Sequence, residues 1–226
     1  MRKKLSVVVS CYNEELALRQ FYKETSQVLK SLPWDYELIF VNDGSQDGSL
    51  DILNQLADED ERVKVIAFSR NFGHEAAMIA GLDYSSGDGI VCMDADLQHP
   101  PECFPSIVEA FQEGYHVINM VRTKNESAGK FKNFASSSFY RLINVLSDVK
   151  FEPNASDFFG ISRKASKVLK DHYREKVRFL RGYVQNIGFK RKNIEYEARS
   201  RVAGESKYSI KKLITFSVNT IMCFSN

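Results

Sequence analysis

The chain has 226 residues, 43% hydrophobic and 27% charged, enough for one sizeable α/β core or two small ones, with no internal repeat and no low-complexity segment. Its four cysteines, Cys11, Cys92, Cys103 and Cys223, form no CxxC pair, so neither a zinc site nor a disulfide framework is indicated, and they read as core thiols in a reducing compartment. The net charge of +2 hides an asymmetry: residues 1–121 carry 9 Lys+Arg against 20 Asp+Glu, a net of −11, and residues 122–226 carry 22 against 9, a net of +13. An acidic half suits a cation, and a basic half suits phosphate groups or an anionic membrane surface; two solvated faces of opposite sign account for part of the imbalance. Nucleic acid is not expected as a partner, because no basic stretch interleaved with stacking aromatics forms a recognisable binding module.

The apolar run after Met1-Arg2-Lys3-Lys4 is soon broken by Asn13-Glu14-Glu15 and is too short for a signal peptide. Leu5 to Tyr12 is instead a Val-rich run with the pattern of a parallel strand buried on both faces. Asn13-Glu14-Glu15 opens a helix that continues through Leu16, Phe21, Val28, Leu29 and Leu32 to Pro33. Tyr36 to Val41 is a second strand, followed by a helix through Leu50, Ile52, Leu53 and Leu56, and Val63 to Phe68 is a third. Ser69-Arg70-Asn71-Phe72-Gly73-His74-Glu75 leads into an Ala-rich helix ending near Gly87. A strand over Gly89 to Met93, a helix over Pro101 to Phe111 and a strand over His116 to Val121 complete the acidic half.

Beyond Arg122 the rhythm changes. A helix runs through Phe131, Phe134, Phe139, Leu142, Ile143 and Leu146; Asp157 to Arg163 is a short strand opening another helix; Phe179 to Gly188 is mixed; and Phe189 to Arg201 is extended and basic. From Ser209 the apolar positions Ile210, Leu213, Ile214, Val218, Ile221 and Met222 fit one helix face, which could pack on the domain or lie on a membrane. No uninterrupted apolar stretch approaches the ~20 residues needed to span a bilayer.

Alternating strands and helices at this spacing predict βαβ units around a mostly parallel, Rossmann-like sheet with helices on both faces. Ligands of such sheets sit at the carboxyl ends of the strands, and Tyr12, Asp43, Arg70, Asp94 and Asp96 all fall there. Asp94 and Asp96, spaced i, i+2 at a strand end, can point the same way, and with Gln98 as a neutral oxygen they suit a hard divalent cation, Mg2+ or Mn2+. Alternatively they form an acidic turn capping the helix announced by Pro100-Pro101-Glu102. Asp43 could accept hydrogen bonds from a uracil or ribose, or serve as a turn cap in Asn42-Asp43-Gly44. Glu14 has the same ambiguity with helix-start stabilisation, and on local evidence the helix-start reading prevails there.

Five ordered motifs carry a resemblance: Val7-Val8-Val9-Ser10-Cys11-Tyr12-Asn13-Glu14-Glu15, Phe40-Val41-Asn42-Asp43-Gly44-Ser45, Asn71-Phe72-Gly73-His74-Glu75-Ala76-Ala77, Asp94-Ala95-Asp96-Leu97-Gln98-His99-Pro100-Pro101-Glu102 and Ala203-Gly204-Glu205-Ser206-Lys207-Tyr208. Together they resemble, over essentially the whole chain, the inverting family 2 glycosyltransferases of the polyprenyl-phosphate type. The resemblance implies a nucleotide-diphospho-sugar (GT-A) fold in which Asp94 and Asp96 belong to the metal motif and Asp43 to the nucleoside pocket. It implies a catalytic domain over 1–208, with a nucleotide-sugar half over about 1–121 and an acceptor half over about 122–208, followed by an amphipathic, membrane-proximal helix over 209–226. Two positions depart from the family pattern: Ser10 stands where Pro is frequent and His74 where Lys is frequent, neither a presumed ligand. Members usually continue into transmembrane helices, whereas this chain ends at Asn226, so either it is a piece of a longer protein or its membrane tie is peripheral.

The activity so implied is transfer of a hexose from a nucleotide-diphospho-sugar, UDP-linked by preference, to a polyprenyl phosphate at the cytoplasmic membrane face, with inversion. Tyr12, Glu14, Asp43, Arg70, Asp94 and Arg122 would line the nucleotide sugar; Arg201, Ser206 and Lys207 would meet the acceptor phosphate; Asp96, Asp157 and Arg201 would act in catalysis. Asp157 resembles the family's acceptor-side carboxylate, yet a phosphate acceptor is largely ionised at neutral pH and needs little deprotonation. Homo-oligomerisation is left open. The alternatives are a glycan acceptor on the same fold, and a non-catalytic nucleotide- or membrane-binding module. An NAD enzyme is disfavoured, because the first strand leads into Tyr12-Asn13-Glu14 with no glycine-rich turn.

Overall fold

The computed structural model describes residues 2–123, 152, 155–174 and 179–199. In chain order these form β1 (Lys4–Cys11), α1 (Leu18–Ser31), β2 (Asp35–Asn42), α2 (Ser49–Glu59), β3 (Val63–Ala67), α3 (His74–Tyr84), β4 (Gly89–Asp94), a 3-10 turn (Pro101–Cys103), α4 (Phe104–Gln112), β5 (Val117–Arg122), β6 (Ala155–Ser162), α5 (Arg163–His172), α6 (Leu180–Asn186) and β7 (Arg191–Tyr196). The strands make one sheet in the order β3-β2-β1-β4-β6-β5-β7. The pairs β1–β2, β1–β4, β2–β3 and β5–β7 are parallel, while β6 runs antiparallel to both β4 and β5. The expected mostly parallel sheet is therefore present, with β6 as its one reversed strand among the described residues.

Strand geometry sends alternate side chains to opposite faces, and β1 shows why a continuous apolar run is needed there. Leu5, Val7 and Val9 pack with Leu18, Phe21 and Leu29 of α1, Leu53 and Leu56 of α2, and Phe104, Ile107 and Phe111 of α4. Val8 faces the other layer, with Met78 and Leu82 of α3, Ala165 and Leu169 of α5, and Leu180 and Val184 of α6. Helices thus cover both faces, and α3 lies so close to β1 that a Cβ on Gly81 would sit 2.1 Å from Val8 Cγ1.

Three local expectations change. The first helix begins at Leu18 rather than at Asn13, because residues 13–15 are engaged in bonds to the loop after β2, described below. The mixed segment from Phe179 resolves into the short helix α6. Asp157, placed at the opening of a short strand, is the third residue of the eight-residue β6. The helix through Phe131 to Leu146 and the amphipathic segment 209–226 lie outside the described residues, among which no helix is long and apolar enough to cross a membrane.

Candidate active site

The chain runs from β1 outward to β2 and β3, then returns to place β4 on the other side of β1, so the topological switch point lies between β1 and β4. The carboxyl end of β4 is Asp94, paired in register with Ser10 of β1. On the other side, Cys92 pairs with Phe159 of antiparallel β6; Asp94 follows Cys92 by two residues and Asp157 precedes Phe159 by two, so both lie toward the same end of the strand pair. Cys92 and Phe159 both face the layer of α3 and α6, and the side chains of Asp94 and Asp157 meet residues of those same two helices.

Asp94 Oδ1 accepts a hydrogen bond from Ser10 Oγ at 2.9 Å and meets His74 Nε2 at 2.8 Å. Burial alone would depress the His74 imidazolium, but the Asp94 carboxylate and its hydrogen bond, with Asp157 and Glu75 nearby, hold its pKa up at about 10. Burial likewise opposes ionisation of Asp94, yet the His74 charge and hydrogen bond hold its carboxyl far below the usual carboxylate range. The two positions that depart from the family pattern, Ser10 and His74, therefore converge on one oxygen of the first acidic residue of the motif. Neither was singled out as a site residue from the sequence.

The turn that follows is built from the backbone outward. Leu97, fully enclosed, takes the left-handed φ of 64°, a conformation costing about 1–2 kcal/mol for a side-chain-bearing residue. The bend brings the Gln98 N–H to Asp96 Oδ1 at 3.1 Å and His99 Nδ1 to the Asp94 N–H at 3.1 Å. Since Nδ1 accepts, the His99 ring proton sits on Nε2, and burial pushes this imidazole down toward the neutral form that the bond requires. His99 is stacked on Phe158 of β6, with centroids 5.1 Å apart, and edge-on to Tyr196 of β7.

A divalent cation fits this chemistry if the substrate completes its shell. Asp94, both of whose described side-chain contacts use Oδ1, Asp96 and the Gln98 oxygen offer hard donors, while among the described residues no group of three or more His, Cys, Asp or Glu could enclose a metal. Two carboxylates plus phosphate oxygens is the way Mg2+ is commonly held.

Toward β2 and β3, the loops after β1 and β2 are zipped together. The Asn13, Glu14 and Glu15 N–H groups donate to Ser45 Oγ, Ser49 Oγ and Asp47 Oδ2, and Asn13 Oδ1 and Glu15 Oε2 accept the Gln46 and Gly48 N–H groups. Tyr12 and Glu14 stand in this partly buried seam. Asn42 Oδ1, not Asp43, caps the turn by accepting the Ser45 N–H at 3.1 Å. Asp43, 3% exposed, reaches across instead to accept the Phe72 N–H at 2.7 Å and the Gly73 N–H at 2.9 Å. Gly44, at φ 64°, packs against the Arg70–Asn71 backbone so tightly that a Cβ would lie 2.3 Å from the Arg70 carbonyl carbon. The exposed Arg70 guanidinium covers the exposed Phe72 ring at 4.0 Å.

On the other side of the switch point, Asp157 Oδ1 lies 3.5 Å from Arg181 Nη1, which also donates to Ala155 O at 3.1 Å. Glu75, beside His74 at the start of α3, accepts the Leu180 N–H through Oε2 at 2.8 Å. Arg122 ends β5 opposite Tyr196, its Nε buried with no hydrogen-bond partner among the described residues. After β7 the Arg199 N–H donates to Gln98 O at 3.2 Å, and its guanidinium bridges Glu24 and Glu102, so the chain is tied to the acidic turn two residues before Arg201. Arg201, Ser206 and Lys207 lie outside the described residues. Sequence reasoning missed Ser10, His74, Glu75, His99, Arg181 and Arg199, whose contacts span up to 175 positions; only the polar His74-Glu75 pair opening an Ala-rich helix was a visible signal.

The geometry is thus an acidic turn at a switch point, with a further carboxylate, Asp157, on the neighbouring strand. Mycobacterium tuberculosis glucosyl-3-phosphoglycerate synthase, solved with Mn2+, UDP-glucose and phosphoglyceric acid, has the same fold: TM-score 0.62, 18% identity, 96% of this chain and 76% of that one. Staphylococcus aureus TarS, solved with UDP-GlcNAc, matches at TM-score 0.63 and 16% identity over 97% of this chain and 66% of that one. These likenesses establish the GT-A fold. Among relatives by sequence, an uncharacterised Bacillus subtilis glycosyltransferase, YkcC, is 43% identical over 98% of this chain and 68% of its own length. The bactoprenol glucosyl transferase of Shigella phage SfV is 37% identical over 98% of this chain and 72% of its own. The model of Glycosyl transferase family 2 matches residues 6–169, and with these relatives spanning nearly every residue, the chain belongs to that family of glycosyltransferases.

Proposed function

We propose that this chain transfers a hexose, glucose foremost, from a UDP-sugar to the phosphate of a polyprenyl phosphate at the cytoplasmic membrane face, with inversion at the anomeric carbon. The observation that supports the reading is the presence of Asp94 and Asp157 on the neighbouring strands β4 and β6, each two residues from the paired Cys92 and Phe159 and each in contact with a helix of the same layer. Similarity to proteins named bactoprenol glucosyl transferase supports the acceptor class.

In this account Asp43 and the zipped loops carrying Tyr12 and Glu14 hold the nucleoside, partly by fixing the Arg70–Gly73 backbone. Asp96, Asp94 and Gln98 hold a divalent cation, which when bound supplies Lewis-acid stabilisation of the departing diphosphate. His74 keeps Asp94 ionised and oriented, so that its carboxylate is ready without rearrangement. Arg122, with its unpartnered Nε, offers a fork-shaped donor to phosphate. Residues from about 122 to 208 serve the acceptor: Arg201, just past the Arg199 tie, with Ser206 and Lys207, binds its phosphate, and segment 209–226 rests on the lipid surface. Asp157 orients the attacking phosphate oxygen and takes up the last proton where one remains. Attack comes from the face opposite the diphosphate, which accounts for inversion.

Asp157→Asn tests the acceptor assignment. On a polyprenyl phosphate, an already ionised nucleophile, the variant is expected to keep measurable turnover; a sugar hydroxyl acceptor would need a strong base, and complete loss together with wild-type labelling of a glycan would overturn the proposal.

A further inference from the structure

Two neighbouring side chains at the start of α3 reach to opposite sides of the site. His74 meets Asp94 on β4, while Glu75 crosses 105 positions to accept the N–H of Leu180, the first residue of α6. The next residue of α6 is Arg181, whose Nη1 stands between Ala155 O and Asp157 Oδ1. A continuous path therefore runs from the acidic turn through His74 and Glu75, across to α6, and back through Arg181 to Asp157.

We propose that Glu75 is a positioning residue for glycosyl transfer: by anchoring the start of α6 it holds Arg181 against Asp157 and so sets where Asp157 stands relative to Asp94. This rests on the assignment of Asp157 as the acceptor-side carboxylate. The location is unfavourable for a carboxylate, since burial and the nearby Asp157 push the Glu75 pKa up to about 7. A neutral acceptor of the same reach would hold the Leu180 N–H without that cost. What matters at this position is therefore reach: the N-cap residue Phe179 supplies no side-chain hydrogen bond to the first turn of α6, and Glu75 satisfies the N–H of its first residue.

Two variants separate reach from charge. Glu75→Gln keeps an oxygen at the same distance and loses the charge; Glu75→Asp keeps the charge but is one methylene too short for the Leu180 N–H. The expectation is that Glu75→Gln holds kcat within about threefold of wild type, while Glu75→Asp lowers kcat on the order of tenfold or more with UDP affinity within about twofold, because small misplacements at reacting groups are costly. Folding of each variant is checked by thermal unfolding. In a double-mutant cycle, Glu75→Asp is expected to slow an Arg181→Ala background by less than about twofold, since the first acts through the second. Equal kcat for Glu75→Asp and wild type, a Glu75→Gln as slow as Glu75→Asp, a proportional loss of UDP affinity, or multiplicative effects in the cycle would each overturn the proposal. The identity of the wild-type product tests the acceptor assignment separately, and the cycle is measured on whichever acceptor is glycosylated.

Discussion

Removing the His74 side chain should weaken the fold by an amount that depends on pH in one direction. His74 and Asp94 are each about a quarter to a third exposed, 27% and 30%, and are joined at 2.8 Å. A charge-assisted bond of this kind is worth about 1.5–3 kcal/mol, and that is the loss expected for His74→Ala near neutral pH. The folded-state pKa of His74 is raised from 6.5 to about 10. Its contribution is therefore complete below the unfolded value and is lost as the pH climbs through the folded one, declining by up to ~1.4 kcal/mol per pH unit in between. Urea unfolding of wild type and His74→Ala, in EDTA, at pH 6, 7.5 and 9, measures the difference directly. The gap should be widest at pH 6 and narrowest at pH 9, and in Asp94→Asn the same substitution should cost far less. A gap that is constant or grows with pH, or one unchanged by Asp94→Asn, would refute the charge pair as the source of the effect.

Glu37, 3% exposed on β2, accepts from Ser6 Oγ, the Ser86 N–H and Oγ, and Lys64 Nζ at 2.6 Å. Burial alone would raise its pKa, but these bonds hold it at about 2. Glu37→Ala should cost about 2–3 kcal/mol at pH 7 by chemical denaturation, discounted for the half-exposed Lys64, and the difference should narrow as pH falls from 4.5 toward 2. Gly44→Ala forces a Cβ into the Arg70–Asn71 backbone at a left-handed position, so it should destabilise by roughly 2–3 kcal/mol and weaken UDP binding measured by calorimetry; unchanged affinity would detach this loop from the nucleotide pocket. Asp96→Ala should abolish metal-stimulated sugar transfer while leaving the thermal midpoint within a few degrees, and a fully active variant would remove Asp96 from the metal set.

The parallel half of the sheet was legible because β1, β2 and β4 are buried on both faces and so had to be continuous apolar runs. The same logic located Asp43 and Asp94, since polar residues that directly end such runs fall at strand ends. Asp157 was harder to place: β6 is antiparallel and its register with β4 depends on a pairing some 70 residues distant, which no local pattern encodes. Asp43 was recognised as important, but as a nucleoside contact or a turn cap; its bonds to Phe72 and Gly73 join two loops whose proximity follows only from the adjacency of β2 and β3. Ser10 and His74 were set aside as non-ligand positions because their common partner, Asp94 Oδ1, is reached through space from β1 and α3. Strand existence is a local matter of burial, whereas second partners of site residues are set by packing between distant elements.

In the proposed reaction, the acidic turn and the neighbouring Asp157 carboxylate move a hexose from a UDP-sugar onto a lipid phosphate. Radiolabelled UDP-glucose incubated with polyprenyl phosphate in detergent, with Mn2+ or with EDTA, and then partitioned between butanol and water, tests it most directly. The expected product is butanol-soluble label that is released by mild acid as glucose, requires the divalent cation and is absent with Asp96→Ala. Label confined to a water-soluble glycan, or lipid labelling undiminished by EDTA and by Asp96→Ala, would contradict it.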